Sequence, residues 1–306
     1  MELQAIDVHV HPRTPEFLAA LGGKAAAMDA YFGSAGKAVS FDQLADLYRS
    51  LNMMAVLQNT TDIATTGNEP VSNEVIGAAV AKHPDVFIGF GIIEPLRVAE
   101  ARDEIKRCRE EYGLVGIGEL NPGRQFFYPN DARFYPLWEE AMRQDMIVLF
   151  HTGMMGAGAG TPGGSGFKLK YNRPVPHIDD LAADFPDLRI IGAHPSWPWV
   201  DEGLAIARHK SNFYIDMSGW APKYFPESFV RYARGPLADK MLFGSDWPFV
   251  TPSRWLAEFD ELGFSPEVRR KILLENAASL FGIDLDQPPV SAMPTTSTVA
   301  VQEQVK

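Results

Sequence analysis

The sequence predicts an α/β fold, a single (β/α)₈ TIM barrel, and the pattern of apolar segments is the main observation behind this prediction. Eight short apolar segments alternate with longer amphipathic segments, as expected for a parallel sheet with helices on both faces. Eight such units in one domain are typical of a closed barrel. An open, doubly wound sheet is the alternative. Its Gly-x-Gly-x-x-Gly turn is missing after the first strand, where His9-Val10-His11-Pro12 stands instead.

Each predicted strand is a short apolar run bounded by polar or glycine-rich residues. The predicted strands cover residues 5–10, 54–58, 86–93, 114–120, 147–150, 188–193, 213–215 and 241–243. Amphipathic patterns predict helices at residues 41–51, 73–82, 98–112, 132–144, 178–185, 200–207, 227–233 and 255–262. A closing helix is predicted over residues 267–281, because its apolar residues recur on one side, with Gly282 as its C-cap.

The composition favours one globular domain over residues 1–286. Hydrophobic residues make up 46% of the chain and charged residues 22%, which is a globular balance. Residues 287–306 are rich in Pro, Ser, Thr and Val and predict a flexible tail. The single cysteine, Cys108, excludes an internal disulfide and a CxxC metal site.

The charge and the absence of long apolar runs exclude several classes of partner. The net charge of −11 argues against sequence-independent nucleic-acid binding, which requires a basic face. No apolar run reaches the ~20 residues needed to cross a bilayer, and the first strand begins where a signal peptide would lie. We therefore expect a cytoplasmic protein that acts on a small molecule and binds neither nucleic acid nor membranes.

Titratable side chains occur where several predicted strands end, which is the rim at which barrel active sites lie. His9 and His11 are two residues apart on the first strand, so they face the same side and are able to chelate one divalent ion. His151, His194 and Asp246 follow strands five, six and eight. One such histidine is more often a core or loop residue, but imidazole and carboxylate together are the ligands of a catalytic metal such as Zn²⁺.

Glu119 ends the fourth predicted strand, where a buried carboxylate without a partner would be costly. It has three interpretations at this point. It is a metal ligand that bridges two ions, a partner of Arg124, or an acceptor that orients a ligand histidine.

Two short strings complete the strand-end pattern: Gly-Ser-Asp-Trp-Pro at residues 244–248 and Asn-Ala-x-x-Leu-Phe-Gly at residues 276–282. With this pattern the sequence resembles the amidohydrolase superfamily, in particular its amidohydrolase-2 branch. The resemblance implies that His9, His11, His151 and Asp246 hold a divalent metal, usually Zn²⁺ and sometimes Mn²⁺. It also implies that His194 is a further ligand or an acid/base, and that Asp246 takes a proton from metal-bound water in hydrolytic members.

Glu119 departs from many members of this branch, which place lysine there. A carboxylated lysine bridges two ions in two-metal amidohydrolases, and TatD-like nucleases use glutamate at the comparable place. The glutamate therefore leaves open whether the site holds one ion or two, and it inclines the interpretation towards hydrolysis. The net charge of −11 disfavours a nuclease. Dimers are common in this branch, so a homodimer is expected by analogy only.

The segment at residues 152–170 is rich in glycine and is predicted to be a lid over the rim, with a plain surface loop as the alternative. Lys168 and Tyr171 are candidates to bind a substrate carboxylate or phosphate, unless they belong to a solvated charge run. Arg13 and Arg124 are candidate carboxylate clamps, with simple surface residues as the alternative.

Tryptophans follow the strands of the second half of the chain, at Trp197, Trp220 and Trp247. Some of them would pack the top of the barrel as core. Together they predict a flat apolar pocket that is suited to an aromatic ring.

These observations predict a metal-dependent hydrolase, in which metal-activated water attacks a small aromatic or acyl-linked carboxylate substrate in aromatic catabolism. The bond would be a C–C, ester, lactone or thioester bond, and Asp246 and His194 are the predicted catalytic residues. The first alternative is a metal-dependent, non-oxidative decarboxylase of an aromatic or muconate-type acid. The second is a catalytically inactive barrel that binds a ligand.

Overall fold

Eight parallel strands lie side by side in the order in which they occur in the chain, which confirms the predicted barrel. The computed structural model describes residues 2–33, 37–61 and 63–286. The strands are β1 (Ala5–Val10), β2 (Met53–Leu57), β3 (Phe87–Gly91), β4 (Gly116–Leu120), β5 (Ile147–His151), β6 (Ile190–Ala193), β7 (Phe213–Asp216) and β8 (Met241–Leu242). Hydrogen bonds from Val8 N to Phe243 O and from His11 N to Trp247 O join β1 to the segment after β8.

Helices follow the strands and cover the sheet. They are α1 (Pro15–Leu21), α2 (Gly23–Phe32), α3 (Phe41–Ser50), α4 (Ile63–Thr66), α5 (Asn73–Lys82), α6 (Val98–Glu110), α7 (Pro122–Gln125), α8 (Tyr135–Arg143), α9 (His177–Asp184), α10 (Val200–His209), α11 (Glu227–Ala233), α12 (Pro252–Asp260), α13 (Pro266–Arg270) and α14 (Asn276–Phe281). A π-helical turn at Lys271–Glu275 joins α13 to α14, so the predicted closing helix is one continuous element. Gly282 is its C-cap, with a left-handed φ of 68°.

The sequence does not predict α1 and α2, which lie between β1 and α3. Gly22 separates the two helices with a φ of 55°. The sequence of α2 is Gly-Lys-Ala-Ala-Ala-Met-Asp-Ala-Tyr-Phe, in which small alanines reduce the contrast between a polar and an apolar side. A helix without that contrast leaves no periodic signal in the sequence.

The strands bury both of their faces. Ile6 and Val8 of β1, together with Ile147 and Leu149 of β5, belong to one buried cluster, and the spacing of two residues is that of one strand face. Residues of the other face, such as Val148 and Phe150, pack in a second cluster together with residues of the helices. The sheet is therefore rigid, and it fixes the direction of every side chain at the strand ends.

The predicted tail at residues 287–306 lies outside the described residues. In the part of the chain that the structure describes, none of the helices has both the length and the apolar character that a membrane span requires.

Candidate active site

His9 and His11 lie at the end of β1 with their ring nitrogens turned towards each other. The Nε2 atoms of the two rings are 3.0 Å apart. The Nδ1–H of His9 donates to the Asp216 carboxylate at 2.6 Å, which leaves Nε2 facing His11. Two bare nitrogens at 3.0 Å would repel each other, so this arrangement requires a cation or a proton between them.

Asp246 brings a carboxylate to the same point. It follows β8 with a left-handed φ of 62°, a conformation that is uncommon for residues other than glycine and that turns the chain sharply. Its Oδ1 atom is 3.3 Å from His11 Nε2 and 3.7 Å from His9 Nε2. We call His9, His11 and Asp246 the His9 group.

Glu119 stands beside the His9 group and is paired with histidines. Its Oε1 atom accepts a hydrogen bond from His151 Nδ1 at 2.6 Å and lies 3.4 Å from His194 Nε2. Its Oε2 atom is 3.6 Å from His11 Nε2. We call Glu119, His151 and His194 the Glu119 group.

Buried charges determine the protonation of these side chains. Burial alone would lower the pKa of His9, but the adjacent Asp216 carboxylate outweighs it and raises the pKa to about 10. Burial alone would raise the pKa of Glu119, but His151 and His194 hold it well below its ordinary value. Burial lowers the pKa of His151. Burial alone would also lower the pKa of His194, but the hydrogen bond with Glu119 and the nearby Asp246 carboxylate together outweigh it and raise that pKa. The floor therefore combines an ionised carboxylate with histidines of different basicity.

His194 is held by its neighbours on the β7 side. Its Nδ1 atom is 3.0 Å from Ser218 Oγ, and its backbone has a left-handed φ of 70°. A Cβ atom at Gly219 would lie 2.4 Å from that Nδ1. Glycine is required at this position because any side chain would displace the ring.

Two buried aspartates, which are not among the predicted site residues, support the His9 group. Asp216 accepts hydrogen bonds from His9 Nδ1 and, at 2.7 Å, from Ser218 Oγ. Asp7 accepts hydrogen bonds from the Ser245 amide at 2.8 Å and from Tyr48 Oη at 2.8 Å, and thereby anchors the turn before Asp246. Asp216 follows a predicted strand directly, so the strand-end rule that selected Glu119 would have found it.

The donor set fits a divalent metal ion. His9, His11 and Asp246 offer ligand atoms within 4.8 Å of one another, as do His9, Glu119 and His194. Nitrogen and oxygen donors at about 2.1 Å from one ion lie about 3.0–3.4 Å apart, close to the separations within the His9 group. His151 lies outside both sets and bonds to Glu119 through Nδ1, although the resemblance implies that it is a ligand.

A cavity of about 650 Å³ opens above this floor. Side chains of both groups form its base, namely His11, Glu119, His151, His194 and Asp246. Apolar and aromatic residues make up most of its wall, among them Phe17, Met155, Trp220 and Phe249. The cavity therefore suits a ligand with a polar end and an apolar body.

The structure brings four of the seven predicted substrate-binding residues to the cavity. Arg13, Arg124, Trp197 and Trp220 line it, and Arg13 also pairs with Asp29 at 2.5 Å. Lys168, Tyr171 and Trp247 are not among its lining residues in the described part of the chain.

Each of these three residues has an environment away from the cavity. Lys168 is exposed to solvent, and the Tyr171 ring packs on Tyr128 with a centroid distance of 4.4 Å. Trp247 is buried in the core between strands and helices, so it is a packing residue. The predicted lid also divides: Met154, Met155, Gly156 and Ala157 line the cavity, whereas Pro162–Gly166 is a surface 3₁₀ turn.

Comparison with known proteins decides the family. A family model described as Amidohydrolase matches residues 6–283, which include every strand-end residue described above. The chain belongs to the amidohydrolase family. It is thus an enzyme of the amidohydrolase superfamily, as the strand-end pattern implies.

Relatives of this amidohydrolase include a gamma-resorcylate decarboxylase of Rhodococcus jostii (strain RHA1), which is 25% identical over 252 residues, 70% of this chain and 76% of that protein. An uncharacterized TIM-barrel protein from Bordetella bronchiseptica has a TM-score of 0.72 and 25% identity, over 92% of this chain and 99% of that chain. A dihydroxybenzoic acid decarboxylase from Polaromonas sp. JS666, with bound manganese and 2-nitroresorcinol, has a TM-score of 0.65 and 20% identity, over 92% of this chain and 98% of that chain.

These comparisons overturn the prediction of a hydrolase, because the named relative of this amidohydrolase is a decarboxylase. Glu119 is the residue that inclines the sequence-based interpretation towards hydrolysis. In the structure Glu119 orients His151 and faces His194, which is a role that either kind of reaction would use.

Proposed function

We propose that the chain is a metal-dependent, non-oxidative decarboxylase of hydroxylated aromatic carboxylic acids. One structural observation carries the proposal: histidines and carboxylates form the floor of a cavity whose wall is largely apolar and aromatic. Such a cavity matches an acid that has its polar groups at one edge of a flat ring. The similarity to gamma-resorcylate decarboxylase, over 70% of this chain, supports the same reaction class.

His9, His11 and Asp246 are the proposed metal ligands, with Glu119 beside them. Manganese is the expected ion, because the related Polaromonas structure holds it, and zinc is the other ion that these donors accept. A bound metal would supply a Lewis acid that neutralises the negative charge of the substrate carboxylate. Asp216 keeps His9 in the tautomer with Nε2 available, and Asp7 holds the turn that carries Asp246.

His194 is the proposed proton donor. Loss of CO₂ breaks the bond between the ring and the carboxyl carbon, and the ring carbon must then receive one proton. The His194 ring lines the cavity and is held through Nδ1 by Ser218, so its Nε2 faces the base of the cavity. Glu119 Oε1, at 3.4 Å from Nε2, stabilises the protonated imidazole before the transfer.

Local cations must attract the anionic substrate, because the chain carries a net charge of −11. Arg124 is buried in the cavity wall, and Arg13 lies where β1 leads into α1. We propose that Arg124 contributes to the binding of the carboxylate. The apolar wall excludes bulk water from the ring carbon that is protonated.

The test is a reaction balance in heavy water. Manganese-loaded protein is incubated with 2,6-dihydroxybenzoic acid and a panel of other hydroxybenzoic acids. We expect one CO₂ for each phenol formed and one deuterium at the ring carbon that lost the carboxylate, with no oxygen-18 from labelled water in the phenol. His11→Ala serves as the control without metal. The proposal fails if the metal-loaded protein releases no CO₂ from any acid of the panel.

A further inference from the structure

Two helices that are additional to those covering the barrel line part of the cavity. α1 and α2 lie between β1 and α3, in addition to the helices that cover the sheet. Together they line the cavity with six apolar or aromatic side chains. These are Phe17, Leu18, Leu21, Met28, Tyr31 and Phe32. The helical pair is therefore a wall of the cavity, and we call it the α1–α2 wall.

Contacts on both sides hold the α1–α2 wall in place. Arg13 at the end of β1 pairs with Asp29 of α2 at 2.5 Å. The Phe32 ring packs on Phe249 from the β8 side, with a centroid distance of 4.4 Å. A Cβ atom at Gly156 would lie 2.4 Å from the Phe32 ring, so the loop after β5 contacts that ring directly through its backbone.

The wall leaves apolar surface facing the cavity. Leu18, Leu21, Met28 and Phe32 are only partly buried, although all four line the enclosed space. Two arginines that line the cavity pair with carboxylates, because Arg254 bonds to Glu258 at 2.9 Å and Arg13 bonds to Asp29. The exposed surface of the wall therefore favours an apolar ligand group.

The volume of the cavity exceeds what a single-ring acid needs. Cavities of about 300–1,000 Å³ hold drug-sized ligands, which are much larger than a dihydroxybenzoate. A single ring with its carboxylate on the floor would fill only part of the 650 Å³. Tyr31 of α2 lines the cavity and is 47% exposed, so the α1–α2 wall reaches the solvent side of the cavity.

We propose that the substrate carries a bulky apolar substituent, an alkyl chain or a second aryl group, which packs against the α1–α2 wall. This inference rests on the proposed function, because that function places the carboxylate on the floor. The ring position opposite the carboxylate points away from the floor, so we place the substituent at carbon 4 of a 2,6-dihydroxybenzoic acid. The substrate class is therefore the 4-substituted 2,6-dihydroxybenzoic acids.

Binding of the reaction products tests this inference without any turnover. The probes are resorcinol, 5-propylresorcinol and 5-pentylresorcinol, titrated calorimetrically into manganese-loaded protein. Full burial of a methylene group tightens binding about fourfold, so we expect the propyl compound to bind at least about tenfold tighter than resorcinol. Equal dissociation constants along the series would overturn the inference.

A variant locates the effect on the wall. Leu18→Asp puts a charge on the cavity face of α1, and we expect it to abolish the gain with chain length, measured as the ratio of the dissociation constants of resorcinol and 5-pentylresorcinol in the same variant. Leu47→Asp is the matched control, since Leu47 is exposed on α3 and outside the cavity. If thermal unfolding indicates that Leu18→Asp does not fold, Met28→Asp carries the same test from α2. Unchanged chain-length dependence in the folded wall variant would overturn the inference.

The corresponding acids separate failure of this inference from failure of the proposed function. Tighter binding of the phenols with longer chains, without CO₂ release from any acid, would overturn the proposed decarboxylase function and support the proposed substituent site on the α1–α2 wall. Equal kcat/KM for 2,6-dihydroxybenzoic acid and its 4-pentyl derivative, with equal binding of the phenols, would overturn the wall and support the decarboxylase. A kcat/KM at least about tenfold higher for the 4-pentyl acid supports both.

Discussion

The His9 group and the Glu119 group share one floor but are supported in different ways. His9 and the turn before Asp246 are bonded to the buried carboxylates Asp216 and Asp7, which do not line the cavity in the described part of the chain. The hydrogen bond of Glu119 goes instead to His151, beside it on the floor, although His194 of the same group is also held from behind by Ser218. A group supported from behind holds its donor atoms still, which suits a metal ion. A group whose members bond to one another is suited to moving a proton.

The largest expected effect separates the two groups through metal content. His9→Ala removes a donor that lies 3.0 Å from His11 and removes one of the hydrogen-bond partners of Asp216. We expect elemental analysis to give less than about a tenth of the wild-type metal, and decarboxylation to fall at least about 10³-fold. His209→Ala, at the end of α10, is the matched histidine control. Full metal content in His9→Ala would contradict the assignment of the His9 group.

The next effect concerns the Glu119 group. His194→Asn keeps a group able to bond to Ser218 but removes the imidazole, which is the proposed proton donor to the ring carbon. We expect kcat to fall about 10²–10⁴-fold while the metal content stays at the wild-type value. Metal analysis and kcat are measured on the same preparation. Loss of metal together with kcat would assign His194 to the ligands instead.

The sequence predicts the rim better than the support behind it. Apolar strands have a strict spacing, so the amino-acid pattern alone is enough to place His9, His11 and Asp246 at one end of the barrel. The same strand-end rule applies to Asp216, which directly follows the predicted strand at residues 213–215, but the sequence pattern does not show that this carboxylate supports His9. The sequence also does not predict the α1–α2 wall, because the alanine-rich sequence of α2 carries no periodic contrast between polar and apolar residues.

The loop after β5 shows a different limit of sequence reasoning. Its path depends on several glycines with positive φ, among them Gly153, Gly158 and Gly166. Such turns have no repeating pattern from which side-chain directions can be predicted. For this reason the sequence-based expectation that Lys168 and Tyr171 contact the substrate is wrong about the cavity: neither residue lines it in the described part of the chain.

A third prediction tests the support of the His9 group. Asp216→Asn replaces the charged acceptor of the His9 Nδ1–H with a neutral amide, which weakens control of the tautomer. We expect the metal affinity to fall about 10–100-fold, as measured by competition with a chelator. Asp46→Asn, an exposed aspartate of α3, is the control and should bind metal as the wild type does. An unchanged affinity would mean that Asp216 has a purely structural role.

The raised pKa of His9 makes metal binding depend on pH. With Asp216 beside it, His9 has a pKa of about 10, so at neutral pH it carries a proton that the metal must displace. Metal affinity should therefore rise about tenfold per pH unit between pH 6.5 and 8.5 and level off above pH 10. Chelator competition, corrected for the protonation of the chelator, measures this slope. An affinity that stays constant over this range would show that His9 is already neutral in the metal-free protein.

The smallest expected effect lies outside both groups. Lys168 is exposed and does not line the cavity, so Lys168→Ala should change kcat/KM by no more than about twofold, as most surface substitutions do. Arg124→Gln is the comparison, because Arg124 is buried in the cavity wall and its loss should raise KM about tenfold or more. If Lys168→Ala raised KM as much as Arg124→Gln, the glycine-rich loop would have to close over the bound acid. Lys168 would then contact the substrate only in the closed form of the loop.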